Sequence, residues 1–383
     1  MHLVDSTWDL FSDCVRGSEL SSPLERKGLK EEPVALILDI ARTRRKARKK
    51  TSRAEELFFT SEGLRWATPE PAAVHCAERV KANHVMDISS GQGGQSIYLS
   101  ETSDRVTAVD ISPLNCLISY MNALSLNREL EIVNSDSLTE NVRSMAQRDC
   151  LVFSDPARPP GARRRRLEEI EPDPRKVYAT YSEKASGFCF ELPPYIDLHQ
   201  IPMDIEAEYI SFQGRLNRLN VYTGELKRSE RSAVILPEGS VLRGEPRIVT
   251  YCEDASIVTG SWISEIDHSV IRSGLAWKLA EGNDASVMKL DERRSVLVSP
   301  HPISSPFIGP AMEVQAVSED LNEVKSILRS IDAGSVTIRF KVEPSDYWAI
   351  RNDLEQGLKG GKKVSLFKGK RYVVAVKEDF RDE

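Results

Sequence analysis

Asp87-Ile88-Ser89-Ser90-Gly91-Gln92-Gly93-Gly94 is the stretch that decides the fold. It follows the short apolar run His84-Val85-Met86 and precedes Gln95-Ser96-Ile97-Tyr98-Leu99, so a strand ends, the chain turns sharply and a helix begins near Gln95. Glycines at 91, 93 and 94 permit positive φ and remove the Cβ atoms that would keep a ligand off the backbone. The loop amides and the helix N-terminus then face the crevice at the carboxyl end of a sheet. Working outward, apolar runs at 84–87, 105–110, 130–133, 150–153 and 187–192 alternate with helical patterns, which predicts an α/β domain with a largely parallel, Rossmann-like sheet. Thr68 before Pro69 is predicted to cap a helix with Ala72, Cys76 and Val80 on its inner face, and Ser112-Pro113 opens another with Leu114, Leu117, Ile118, Met121 and Leu124 facing inward. Runs at 207–212, 218–222 and 232–236 read as antiparallel or edge strands.

Two classes of nucleotide-like ligand use such a loop. A dinucleotide requires GxGxxG, and here the run is Gly91-x-Gly93-x-x-Ser96, without the last glycine. An acid immediately before the loop sits badly beside a pyrophosphate but suits a ligand carrying an amine and a sulfonium. Asp87 is that acid. Asp110 ends the next strand, where a carboxylate can accept ribose hydroxyls, and Asp136 follows the third, placed for an adenine amino group. These three carboxylates at the rim of a parallel sheet point to S-adenosylmethionine. The expected cofactor residues are Asp87, Ser89, Gly91, Gly93, Gly94, Asp110, Ile111 and Asp136.

At the fourth strand the chain reads Cys150-Leu-Val-Phe-Ser154-Asp155-Pro156-Ala157-Arg158. An acid followed by proline at a strand end can hold an exocyclic NH2: the carboxylate and the adjacent carbonyl accept its hydrogens and aim its lone pair, so the work is positioning. Asp155 and Pro156 keep those elements. Ala157 and Arg158 lack the stacking aromatic of the Asp/Asn-Pro-Pro-aromatic motif, and Arg158 can stack on a base or hold a phosphate instead. Asp155, Pro156 and Arg158 are therefore the candidate catalytic residues.

The 383 residues suffice for two or three compact units. A net charge of −6 leaves nucleic-acid binding to local basic patches, and two exist. A helix from Pro33, with Val34, Ile37, Leu38 and Ala41 on one face, runs into eight cations between Arg42 and Arg53 with no acid among them, Arg44, Arg45, Arg48 and Lys49 included. Arg163, Arg164 and Arg165 stand in a four-arginine loop ending at Arg166. No apolar run approaches membrane-spanning length. Cys14, Cys76, Cys116, Cys150, Cys189 and Cys252 form no CxxC pair and no metal-ligand set with the histidines, which reads as reduced thiols in a cytoplasmic protein. The expected organisation is an N-terminal helical region (1–67, its first 32 residues a loose lead-in), a catalytic domain (68–245), a connecting region (246–312, extended over 296–311) and a small αβ module (313–383). Helices are expected near 268–281, 320–331 and 344–356, and strands at 335–341, 363–367 and 371–377.

The stretch Phe59-Thr-Ser-Glu-Gly-Leu-Arg-Trp-Ala-Thr-Pro-Glu70, the Asp87–Gly94 loop, Ala108-Val-Asp110 and Ser154-Asp-Pro156 together resemble the trimethylguanosine-synthase group of class I methyltransferases. With the Arg44-to-Lys50 run, the Asp-Pro-Ala-Arg motif, Ala207–Phe212 and the Trp262–Ala280 stretch, the chain from about 33 to 377 is similar to methyltransferases ending in a THUMP-like domain. The resemblance implies a seven-stranded methyltransferase sheet, S-adenosylmethionine as methyl donor, and RNA, typically at guanine N2, as acceptor; the preferred substrate expectation is transfer RNA. Three departures accompany it: Ser89 where glycine is more usual, Arg158 in place of the aromatic, and Ile338-Arg-Phe-Lys341, less basic than expected of the module. The competing readings are an RNA-binding protein on a retired methyltransferase scaffold and a methyltransferase for proteins or small molecules. A nicotinamide dehydrogenase is disfavoured by the loop.

Overall fold

The computed structural model describes residues 31–157, 167–252, 257–291 and 294–377. The expectations for residues 1–30, Arg158 and Arg163–Arg166 lie outside these described residues. The chain divides into two compact units, Met1–Ile205 with Asn220–Arg228, and Glu206–Leu219 with Ser229–Glu383.

The first unit opens with helices α1 (Glu31–Ala47), α2 (Ser61–Trp66) and α3 (Glu70–Arg79). Strands β1 (His84–Asp87), β2 (Arg105–Asp110), β3 (Glu131–Asn134), β4 (Cys150–Ser154) and β5 (Ala185–Leu192) then alternate with α4 (Gly94–Thr102), α5 (Pro113–Ser125), α6 (Glu140–Met145) and α7 (Pro174–Tyr181). The strands are parallel in the order β3-β2-β1-β4-β5. Parallel strands covered on both faces need apolar residues at successive positions, which explains why β1 and β4 are buried along their whole length. Val85, Leu99, Val106, Phe153, Cys189 and Tyr222 share one core cluster. Arg79 on α3 lies over the Tyr222 ring, 4.1 Å from its centroid, and donates to the Leu226 carbonyl at 2.9 Å, which ties residues 220–228 to this unit.

The hydrogen-bonded order of the larger sheet continues as β7 (Arg215–Gly224), β6 (Glu206–Phe212), β8 (Arg231–Leu236) and β9 (Ser240–Gly244), so the expected seven strands gain two more. β7 contributes its last residues to the first unit and its beginning to the second. β6 pairs β8 in parallel and has a strand on each side, which corrects the antiparallel or edge reading of 207–212; β8 and β9 are antiparallel.

The second unit also holds a seven-stranded sheet ordered β11 (Ser286–Lys289), β12 (Ser295–Ser299), β10 (Trp262–Glu265), β13 (Met312–Ser318), β16 (Tyr372–Lys377), β15 (Lys362–Lys368) and β14 (Ala333–Ile338). It is antiparallel except for β14 and β15. Helices α8 (His268–Ser273) and α9 (Ala276–Glu281) occupy the helical stretch expected at 268–281, broken at Gly274, and α10 (Leu321–Ser330) and α11 (Tyr347–Glu355) the two expected in the last segment. Residues 296–299, read as extended connector, lie in the buried strand β12; the prolines that suggested a connector begin only at Pro300.

Two local readings are also corrected. Thr68 does not cap α3: Pro69 holds that position without a side-chain bond, while Thr60 caps α2 by accepting from the Gly63 N–H at 3.0 Å. Ser112 does cap α5, but Leu114, Leu117 and Leu124 are exposed; the buried face is Cys116, Ile118, Ser119, Asn122 and Ala123.

Candidate active site

Parallel register aligns the carboxyl ends of the strands. Asp87 pairs Ala108 and Phe153, Asp110 pairs Asn134, and Ser154 pairs Phe190. The loops after β1, β2, β3 and β4, with Asp87, Asp110, Asp136 and Asp155, therefore emerge along one edge.

At Gly91 and Gly93 the loop adopts φ of +53° and +79°. A Cβ on Gly91 would meet no atom within 4 Å, so bare backbone borders open space; on Gly93 it would fall 2.4 Å from the Ser119 Oγ. Gly94 begins α4. Asp110 receives the loop: its Oδ2 accepts the Gly91 N–H at 2.9 Å, and its Oδ1 accepts the Ser112 N–H at 2.8 Å and the Asn115 amide at 3.1 Å. Of the roughly four lone-pair sites on a carboxylate, Oδ2 keeps one for a ligand hydroxyl. Ile111 beside it is 75% exposed, an apolar surface at the rim. Asp136 is exposed, accepts the Leu138 N–H at 2.9 Å, and is joined to the β2 end by the Ser135 N–H donating to the Asp110 carbonyl at 3.1 Å.

Asp87 departs from the expected rim position. It is fully buried beneath the loop, where Ser96 Oγ donates to Oδ2 at 2.5 Å and the Ser89 N–H approaches Oδ1 at 3.4 Å. Loss of hydration pushes its pKa up to about 7, against the opposing bond from Ser96. The serine at the third glycine of the dinucleotide pattern thus anchors the acid that precedes the loop.

Ser89, a departure from the usual glycine, joins two loops. Its Oγ accepts the Asp155 N–H at 2.8 Å and lies 3.3 Å from the Ser154 Oγ. This fixes the exposed Asp155, with the buried Pro156 following, against the glycine loop. Ala157 closes the far side through paired backbone bonds with Glu171 of 2.8 and 3.1 Å. The third catalytic candidate, Arg158, is outside the described residues, as are Arg163, Arg164 and Arg165.

The basic run separates into two groups. Arg44 and Arg48 both reach Glu55, at 3.8 and 2.6 Å, and Arg44 also lies over the Phe58 ring. Arg53 pairs with Glu101 at 2.6 Å, and Lys50 donates to the Arg65 and Ala67 carbonyls at the end of α2. Glu55, just past the run, and the sequence-distant Glu101 thereby relieve part of the expected repulsion. Arg42, Arg45, Lys46 and Lys49 are exposed, with no ion pair among the described residues.

Sequence reasoning missed the clasp behind the loop. Gln92 accepts the Thr60 N–H at 3.0 Å and donates to the Thr60 Oγ at 2.8 Å. Asn122 accepts the Phe58 N–H at 2.6 Å and donates to the carbonyls of Phe58 and Gln92 at 3.0 and 2.8 Å. The available signal was an asparagine, Asn122, within the largely apolar helix α5.

The site fits S-adenosylmethionine on its own features: open backbone at Gly91, the remaining acceptor on Asp110, and a buried Ser90 Oγ with no hydrogen-bond partner among the described residues. Residues 82–186 match the family model described as RNA cap guanine-N2 methyltransferase. Two uncharacterized S-adenosylmethionine-dependent methyltransferases from strains of Mycobacterium tuberculosis are each 26% identical over 320 residues, covering 81% of this chain and 83% of theirs. A crystal structure from Porphyromonas gingivalis W83, of a protein assigned provisionally as a methyltransferase, aligns over 99% of this chain and 98% of its own with a TM-score of 0.76 at 14% identity. No described helix is long and apolar enough to cross a membrane. The fold is that of class I methyltransferases, and these similarities make the protein an S-adenosylmethionine-dependent methyltransferase.

Proposed function

We propose that this enzyme methylates an exocyclic base amine of RNA, guanine N2, with transfer RNA the first substrate to assay and the cytoplasm its place of action. The observation that carries the proposal is the placement of Asp155-Pro156 at the end of β4, held against the glycine loop through Ser89. The match over residues 82–186 to a guanine-N2 methyltransferase family supports the same acceptor. Within the proposal, Asp110 holds a ribose hydroxyl, Ile111 packs on adenine, Asp136 accepts the adenine amine, and Asp87 supplies a negative field from beneath the loop. S-adenosylmethionine, when bound, would supply a sulfonium methyl: the substrate nitrogen would form the new C–N bond as the C–S pair is left on sulfur, and its surplus proton would pass to the Asp155 carboxylate or to water. Asp155 Oδ and the Pro156 carbonyl accept the amine hydrogens and aim its lone pair, which is catalysis by orientation. Exposed cations of the α1 region and the 163–166 arginines hold phosphates. The proposal retains the division into N-terminal helical region 1–67, catalytic domain 68–245, connecting region 246–312 and THUMP-like module 313–383.

The test pairs two variants in a methyl-transfer assay on total RNA. Asp155→Ala should lower kcat by at least about a hundredfold while leaving cofactor affinity, measured by calorimetry, unchanged. Asp110→Ala should weaken cofactor binding instead. Full turnover by Asp155→Ala removes that residue from the mechanism, and methylation of protein but not RNA overturns the substrate assignment.

A further inference from the structure

We propose that Tyr195 is the aromatic platform on which the target base stacks, replacing the aromatic that the Asp155-Pro-Ala-Arg158 motif lacks. This rests on the RNA-base reading above. Register places Ser154 beside Phe190, so the loops leaving β4 and β5 begin side by side, with adjacent strands about 4.8 Å apart. The β5 chain continues Glu191-Leu-Pro193-Pro194-Tyr195-Ile196, and within this run Pro193, Pro194 and Ile196 are buried while Tyr195 is 50% exposed. Two prolines fix the backbone, and the Ile196 N–H donates to the Pro193 carbonyl at 3.0 Å, so Tyr195 sits on a rigid turn. A second tie joins the loops: the Gln200 side chain, five residues on, accepts the Leu167 N–H at 3.1 Å, and Leu167 leads through Ile170 to Glu171, which is bridged to Ala157. The Tyr195 turn and the Asp155 loop are thus held on the same edge from both ends. A half-exposed aromatic on a buried, doubly anchored turn suits stacking, which any base can supply and which costs little ordering.

The experiment compares wild type, Tyr195→Ala and Tyr195→Phe, first confirming equal Tm and equal calorimetric affinity for S-adenosylmethionine. Affinity for a short guanosine-containing single-stranded RNA is read by fluorescence anisotropy, and KM and kcat are read on the methylated RNA. Tyr195→Ala should weaken RNA binding and raise KM by about 5- to 150-fold, with kcat changed far less, and Tyr195→Phe should restore both to within about twofold. An unchanged Kd and KM in Tyr195→Ala overturns the inference while leaving the RNA reading intact. Failure of phenylalanine to rescue overturns stacking in favour of a hydroxyl bond. Wild-type protein that binds S-adenosylmethionine but neither binds nor methylates RNA overturns the RNA reading and this inference together.

Discussion

Asp87 shows how far one residue's identity can be read and its state cannot. An acid before the loop is visible in sequence; that it lies wholly out of water, with its pKa raised to about 7, follows only from the packing above it. The folded pKa exceeds the ordinary value near 3.8, so the protonated acid contributes stability that is fully present below about pH 4 and lost as pH rises through about 7. Asp87→Asn should therefore gain stability relative to wild type between pH 5 and pH 8, read as a growing difference in Tm. A difference that stays level across that range would show that the carboxylate does not titrate there. Ser89 and Ser96 illustrate the converse. Each departs from a glycine pattern, and each contributes a hydroxyl that joins the loop to an aspartate: the backbone N–H of Asp155 in one case, the carboxylate of Asp87 in the other.

Among elements, strands were more legible than helix faces. The expected runs at 84–87, 105–110 and 150–153 match β1, β2 and β4 closely, because a strand buried on both sides announces itself by continuous apolar character. Helix α5 misled for a definite reason. Its leucines recur at helical spacing, yet the face turned inward must pass under Gly93 and satisfy the backbone of Phe58 and Gln92, which requires Ser119 and Asn122. Close approach and polar satisfaction outrank hydrophobic periodicity there. Asn122→Ala strands the Phe58 N–H and the Gln92 carbonyl, and should cost about 1–3 kcal/mol for each group left unpaired. Chemical denaturation checks the loss, and a midpoint within error of wild type would show that the clasp is dispensable. A Cβ at Gly63 would fall 2.0 Å from the Gln92 Oε1, so a larger residue there must displace that amide from its bonds to Thr60.

At the scale of the molecule, charge is distributed unevenly. The whole chain carries −6, whereas Arg42, Arg45, Lys46 and Lys49 present cations in and just beyond the last turns of α1. If these hold phosphates, removing Arg45 and Lys49 together should lower the slope of log Kd against log salt for RNA by about 1.5. Arg48→Ala should lower it much less, because Glu55 already neutralises that guanidinium. Binding titrations from 50 to 200 mM salt decide this, and equal effects of the two changes would remove the distinction between paired and exposed cations.

By itself the sequence determined the alternation of strands and helices, the glycine loop and the order of its acids, since these depend on local periodicity and on backbone freedom at particular glycines. Tertiary structure alone decided that Asp87 lies beneath the loop while Asp110 and Asp136 stand at its edge, that Glu55 and Glu101 claim Arg44, Arg48 and Arg53 of the basic run, and that β6 runs in the interior of a sheet beside β8. Each of those outcomes turns on which groups the folded chain brings together, and burial, ion pairing and strand neighbours are properties of such pairs rather than of any segment taken alone.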